Sequence, residues 1–272
     1  GTYTILVYAL DGTSNTSSPK KTTVDVESQL HSRAVVVMGG SPSDPNYAGY
    51  ERNAIAAYEA LRSQGYKDDD ELGYNAATDD ICFMTPSGVA GFDETPTLGN
   101  VEYALGTGAN TDTRDLVVYL IGPAPSAGLQ LSATETLNIT QFDSWLDALQ
   151  NGKAGMAGKQ VVVCDTSQSG SFLYPLRAPA GHERDRIVIT STRGIQAARF
   201  LQQGSVSFSN FFWNRVLNGS SVYSAYTYAA QAIKFAGKGQ LAQLDDTGDG
   251  LGGSPLDGEV AWHYYLGSGI LF

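Results

Sequence analysis

The chain has 272 residues, 42% of them apolar and 17% charged, enough to bury a full core in one large domain. Its 28 acids against 17 bases give a formal charge of -11, which argues against nucleic-acid binding and leaves no polybasic patch for anionic lipid. No stretch approaches the roughly 20 apolar residues that a membrane-spanning helix needs.

Residues 1–26 form the first unit. Residues 2–9 alternate polar and apolar, 11–18 are a turn-rich Ser/Thr/Asn/Gly loop, and 21–26 alternate again, which predicts a two-stranded ribbon. The pattern Gly1-x-Tyr-x-Ile-x-Val-x-Ala9 with Asp11 resembles the last two strands of an immunoglobulin-like or fibronectin-like bacterial module. A lone hairpin is marginal in water, so the ribbon is expected to pack on a neighbour. Residues 27–33 read as a linker, and 34–272 as the main domain.

There the rhythm changes to strand and helix in alternation. Strands are predicted at 34–38, 80–84, 115–121, 160–165 and 185–191, and helices at 47–64, 97–105, 138–149, 205–217 and 222–235. Continuous apolar strands such as Val35-Val-Val-Met38 suit a sheet covered on both faces. The order implies βαβ units, hence an α/β fold with a doubly wound, mostly parallel sheet of about six strands. Chemistry in such sheets sits beyond the carboxyl ends of the strands, which selects the loops at 39–46, 122–128, 165–171 and 191–197. Cys82 and Cys164, each inside an apolar run, read as buried reduced thiols.

Two of those loops carry the motif positions. Leu120-Ile-Gly-Pro-Ala-Pro125 follows the third strand, and Val163-Cys-Asp-Thr-Ser-Gln-Ser-Gly170 ends the fourth. With Val35-Val-Val-Met-Gly-Gly40, Ile189-Thr-Ser-Thr-Arg193 and the stretch 204–213, they resemble the caspase-like cysteine peptidases, especially bacterial relatives of legumain, over about residues 32–250. In that family the third strand runs into Gly-His-Gly and the later one into Asp-Ala-Cys-x-Ser-Gly. The resemblance implies a catalytic histidine at Pro123, after Gly122, and a nucleophile at Ser167, after Asp165.

Thiol peptidase chemistry needs a thiolate, an imidazole and backbone donors for the oxyanion. Proline has neither a side-chain base nor an N–H, and an unassisted serine hydroxyl is a weak nucleophile. Both halves of the dyad are therefore replaced. His31, His182 and His263 do not follow the third strand; His182, in its Gly-His-Glu-Arg loop, is the reserve base, and Cys164 the reserve thiol. The resemblance also implies a surviving pocket at Gly40, Ser191, Thr192 and Arg193, with Arg193 suited to an acidic ligand.

A last motif, Asp245-Asp-Thr-Gly-Asp-Gly250, places hard oxygen ligands on a tight bend. An EF-hand would carry Glu where Leu256 stands, so Asp245, Thr247, Asp249 and Asp257 are candidate calcium ligands within an Asp/Gly-rich loop at 245–259. No other cofactor is expected. The sequence thus predicts a degenerate caspase/legumain-like domain of an exported protein, extracellular or cell-surface, binding a peptide or protein partner. Two alternatives stand beside it: an active endopeptidase with a rerouted nucleophile and base, and a self-assembling surface or filament subunit that associates through the N-terminal ribbon.

Overall fold

The computed structural model describes residues 2–7, 20–25, 30–69, 72–106, 108–109, 112–125, 128–152 and 156–267. The N-terminal ribbon pairs β1 (Thr2–Val7) with β2 (Lys20–Asp25) antiparallel, from Thr2↔Asp25 to Val7↔Lys20. The loop predicted at 11–18 lies outside the described residues.

The main sheet has six strands in the order β10-β9-β8-β5-β3-β4. They are β3 (His31–Met38), β4 (Ile81–Met84), β5 (Thr113–Ile121), β8 (Gln160–Asp165), β9 (Arg186–Thr190) and β10 (Gln243–Asp245). All are parallel except β10, which pairs antiparallel with β9. A small hairpin of β6 (Gly128–Gln130) and β7 (Thr136–Asn138) follows β5. The chain enters β3 at His31, three residues inside the predicted linker. There the His31 N–H donates to the Asp112 carbonyl at 2.7 Å and its Nδ1 lies 2.9 Å from Asp80.

Alternation along each strand assigns the side chains to two helix layers. Val36, Met38, Phe83, Tyr119, Val163 and Ile189 face α1 (Tyr47–Ser63), α4 (Phe208–Leu217) and α5 (Val222–Ala236), with the four-residue α6 (Glu259–Trp262) beside α5. Val35, Val37, Cys82, Val118, Leu120 and Cys164 face α2 (Leu98–Leu105) and α3 (Ile139–Asn151). This period of two, with both faces covered, is why the strands read as unbroken apolar runs. Cys82 and Cys164 are fully buried on β4 and β8, which β3 and β5 separate. Three strand spacings, about 14 Å, are too far for a disulfide.

Helix starts follow local chemistry. Thr97, Asn138, Ser207 and Ser221 each accept a backbone N–H of the first turn of α2, α3, α4 and α5. The cap at Ser207 explains why α4 begins three residues later than the sequence predicts: Leu201 and Val206 first close a turn through an isolated bridge.

Both borders of the sheet are covered. Outside β4, Asp93 and Glu94 run alongside: the Asp93 N–H donates to the Phe83 carbonyl at 2.9 Å, and the Phe83 N–H to the Asp93 carboxyl at 2.7 Å. Outside β10, the Gly253 N–H donates to the Leu244 carbonyl at 3.4 Å.

Candidate functional site

The loops selected by the strand-end rule do meet. β5 and β8 are neighbours, and their ladder ends at Ile121↔Asp165. Pro123 and Ser167 each lie two residues beyond that pair, so the two motif positions stand at the same level on adjacent strand exits. Gly122 leaves β5 at φ +149, where an added Cβ would lie 3.0 Å from the Gly39 carbonyl oxygen. Gly40, at φ +105, is packed so closely that a Cβ would lie 3.0 Å from Pro123 Cδ. Glycine is required at both because the β3 and β5 exits touch through backbone and the proline ring. The β6–β7 hairpin locks this corner, with the Gln130 N–H donating to the Pro123 carbonyl at 2.9 Å.

The serine is committed elsewhere. Its hydroxyl accepts the Ala198 backbone N–H at 3.1 Å, and the Gln168 N–H donates to the Gln196 carbonyl at 2.7 Å. Gln168 takes a left-handed conformation at φ 63, which turns the chain sharply after Ser167. The 165–171 loop is thereby stitched to the 193–200 loop.

Asp165 is the anchor beneath. It is almost wholly buried, accepting the Ser209 N–H at 3.2 Å and the Ser209 hydroxyl at 2.6 Å. The N–H belongs to the first turn of α4, whose dipole favours negative charge there. Burial nonetheless holds the Asp165 carboxyl above the usual range, against the lowering effect of Ser191 and Ser209. The rings of Tyr119 and Trp213 meet edge to face nearby, with centroids 5.1 Å apart, and burial beside Asp165 pushes the Tyr119 hydroxyl well above its ordinary range, against the lowering effect of Ser209 and Trp213. Ser209 is the residue that sequence reasoning missed. Its signal was faint, one serine two positions after a capping serine and 44 residues from its partner.

The expected pocket wall is mostly interior. Thr192 is fully buried: its hydroxyl accepts the Ser169 N–H at 2.9 Å and lies 3.2 Å from the Thr166 carbonyl, to which it donates. Ser191 is also fully buried, at the floor beside Asp165. Arg193 is exposed, on a turn in which the Gln196 N–H donates to the Arg193 carbonyl at 3.0 Å. Next to it Ile195 stands 91% exposed.

None of the three histidines joins the constellation. His31 opens β3 and His182 precedes β9, its Nδ1 3.1 Å from Asp185, so both lie at the amino ends of parallel strands. Ser167 lies past the carboxyl end of β8, a strand of six residues and roughly 20 Å. His263 follows α6. Cys164 points into the core, where burial, with Asp165 adding, pushes its thiol far above the ordinary range.

The Asp/Gly-rich loop holds itself closed. Asp245 accepts backbone N–H groups of Thr247 at 3.0 Å, Gly248 at 2.9 Å and Gly250 at 2.7 Å. Asp249 accepts from Leu251 and Ser254, and Asp257 from Gly253 and Ser254. Asp246, which the sequence reading did not single out, accepts from Gly258, Val260 and Ala261, fixing the start of α6. A calcium ion would have to compete with these donors for Asp245, Thr247, Asp249 and Asp257. Among the described residues, the carboxylates that do converge are Asp68, Asp69 and Asp79, in the segment before β4.

No protein-family profile matches the chain, and no curated protein sequence matches it. Among solved structures, it is similar to caspase-1 from Spodoptera frugiperda, at 9% identity and a TM-score of 0.53, over 80% of this chain and 89% of that chain. At that identity the likeness is one of fold: the chain carries a caspase-like domain, a mixed α/β architecture around a six-stranded, mostly parallel sheet.

Proposed function

We propose that this domain is a catalytically inactive relative of the caspase- and legumain-like peptidases, a binding or structural module of an exported bacterial protein. The observation that carries the reading is the pair Pro123 and Ser167 at the two strand exits. One position supplies no base, and at the other the hydroxyl is engaged by the Ala198 N–H. Acid–base catalysis needs a proton acceptor within hydrogen-bond reach of the nucleophile, and each histidine is held elsewhere in the fold. The N-terminal ribbon is read as the end of an upstream immunoglobulin-like module, and the acidic composition suits an extracellular setting. No cofactor is assigned.

What remains at the strand ends is a rigid platform with exposed Arg193 and Ile195 on its lip. That combination suits an extended peptide or partner loop carrying a carboxylate and an apolar residue. Incubating the purified chain with a peptide library and a thiol-directed activity probe tests the reading. No turnover and no labelling are expected; specific cleavage that disappears in Ser167→Ala overturns it.

A further inference from the structure

At the other end of α5, away from the strand-end loops, two adjoining cavities of about 530 and 280 Å³ share Tyr223 and Trp262. Asp257, Glu259 and His263 line the larger; Thr227, Tyr228 and Gln231 line the smaller. The ring centroids of Tyr223 and Trp262 are 5.4 Å apart and the planes inclined at 46°, so the two rings pack against each other at the border of both cavities. Trp262 is 56% exposed, so its ring is open to solvent.

The lining has one electrical sign. Aromatic faces carry negative quadrupole potential, two carboxylates stand at the mouth, and no lysine or arginine lines either cavity. Glu259 pairs with Arg184 at 3.0 Å, an exposed ion pair that leaves its second oxygen to the cavity mouth. Asp257 spends one oxygen on the Gly253 and Ser254 N–H groups, while its other oxygen accepts weakly, at 3.4 Å, from the Thr247 hydroxyl of the same Asp/Gly-rich loop. Burial, opposed by those two N–H groups and reinforced by Asp245 and Asp249, raises Asp257 to about 6, as expected where negative charge gathers without a compensating cation.

The same surface shows what it accepts. Arg215 lays its guanidinium over the Tyr228 ring, 4.1 Å from the centroid, and Arg177 and Arg62 cover Tyr174 and Tyr58 in the same way. Among the described residues no cation covers Tyr223 or Trp262.

We propose that the depression beside Tyr223 and Trp262 is a docking site for an arginine side chain of a partner protein, its guanidinium stacked on the exposed Trp262 ring with its charge met by Asp257 and Glu259. It is independent of the platform at Arg193, since the length of α5, about 20 Å, lies between them.

Calorimetric titration near pH 8 with acetyl-Gly-Arg-Gly-amide, its citrulline counterpart and a neutral disaccharide tests this. The arginine peptide is expected to bind with a Kd on the order of 1 mM and the citrulline peptide at least about tenfold more weakly. Trp262→Leu should abolish binding and Trp262→Phe retain most of it, while Asp257→Asn weakens it about threefold. Arg193→Ala should leave it unchanged. Because Trp262 is exposed, the Trp262 variants are expected to keep the parent's thermal unfolding midpoint, which is measured alongside. Equal binding of arginine and citrulline peptides, preference for the disaccharide, no saturable binding of the arginine peptide, or dependence on Arg193 instead of Trp262 would each overturn the proposal.

Discussion

The Ser167 hydroxyl accepts the Ala198 backbone N–H at 3.1 Å, so the oxygen at the exit of β8 is a fastener between two loops. A structural hydrogen bond is its measurable role. Ser167→Ala leaves the Ala198 N–H without its acceptor and should lower stability by about 1 kcal/mol. Urea unfolding would show this as a shifted midpoint with an unchanged slope. No loss of stability would mean that the bond does not bind the two loops together.

Pro123 and Ser167 stand two residues past the Ile121↔Asp165 pair, so substituting both asks whether the platform can still guide chemistry. Ser167→Cys alone should alkylate with the pH profile of an ordinary thiol, midpoint about 8.5. Pro123→His together with Ser167→Cys should move that midpoint lower by stabilising the thiolate. An identical profile in the two variants would place the two exits too far apart for an ion pair.

Asp93 gives the fold a pH signature. Burial raises it from 3.8 to about 7, the Phe83 N–H opposes this, and Asp68, Asp79 and Glu94 add to the rise. The unfolded chain ionises this group near pH 4, so between about 4 and 7 the unfolded state has lost the proton that the folded state keeps. Stability contributed here is present at low pH and is lost as pH rises through 7. Asp93→Asn can still accept the Phe83 N–H. It should be more stable than the parent at pH 8, with the difference closing by about pH 4. A gap of the same size at both pH values would contradict the assignment.

Arg186 is fully buried and ties α3 to β9 through Asp143 at 2.8 Å and Asp147 at 2.8 Å, with Gln160 at 2.8 Å below. Arg186→Leu strands two carboxylates and should cost about 3–5 kcal/mol by urea unfolding. Replacing Asp143 and Asp147 with leucine as well should recover much of that loss, because the burden is the unpaired charge. An Arg186→Leu variant as stable as the parent would refute the network's role.

Asp245 already receives backbone N–H groups from Thr247, Gly248 and Gly250. A chelator is therefore expected to leave the thermal midpoint unchanged, and Asp245→Ala to lower it equally with and without calcium. A midpoint that rises with added calcium, and no longer does so in Asp249→Asn, would instead assign the loop to the cation.

Much of the architecture was legible because the parallel strands of the main sheet carry apolar runs and α2, α3, α4 and α5 start at a Thr, Asn or Ser cap. The strand-end rule then found the loops that meet, and the caspase-like layout found Pro123 and Ser167. What stayed hidden was short or distant. β10 is three residues with one central leucine, and β6 and β7 are equally brief, too short for a period to show. The bonds from Ser167 to Ala198 and from Asp165 to Ser209 span 31 and 44 residues, a separation that no local pattern encodes. Ser191 and Thr192 follow a strand and so look like loop residues, but the 166–169 turn folds over them.

The covered borders of the sheet have a consequence for crowding. Asp93 with Glu94 on one side, and Gly253 on the other, occupy backbone groups that an incoming strand would need. Neighbouring copies on a surface could therefore lie side by side at high density without their main sheets fusing. Fibre growth through this sheet would first require one of its borders to peel away.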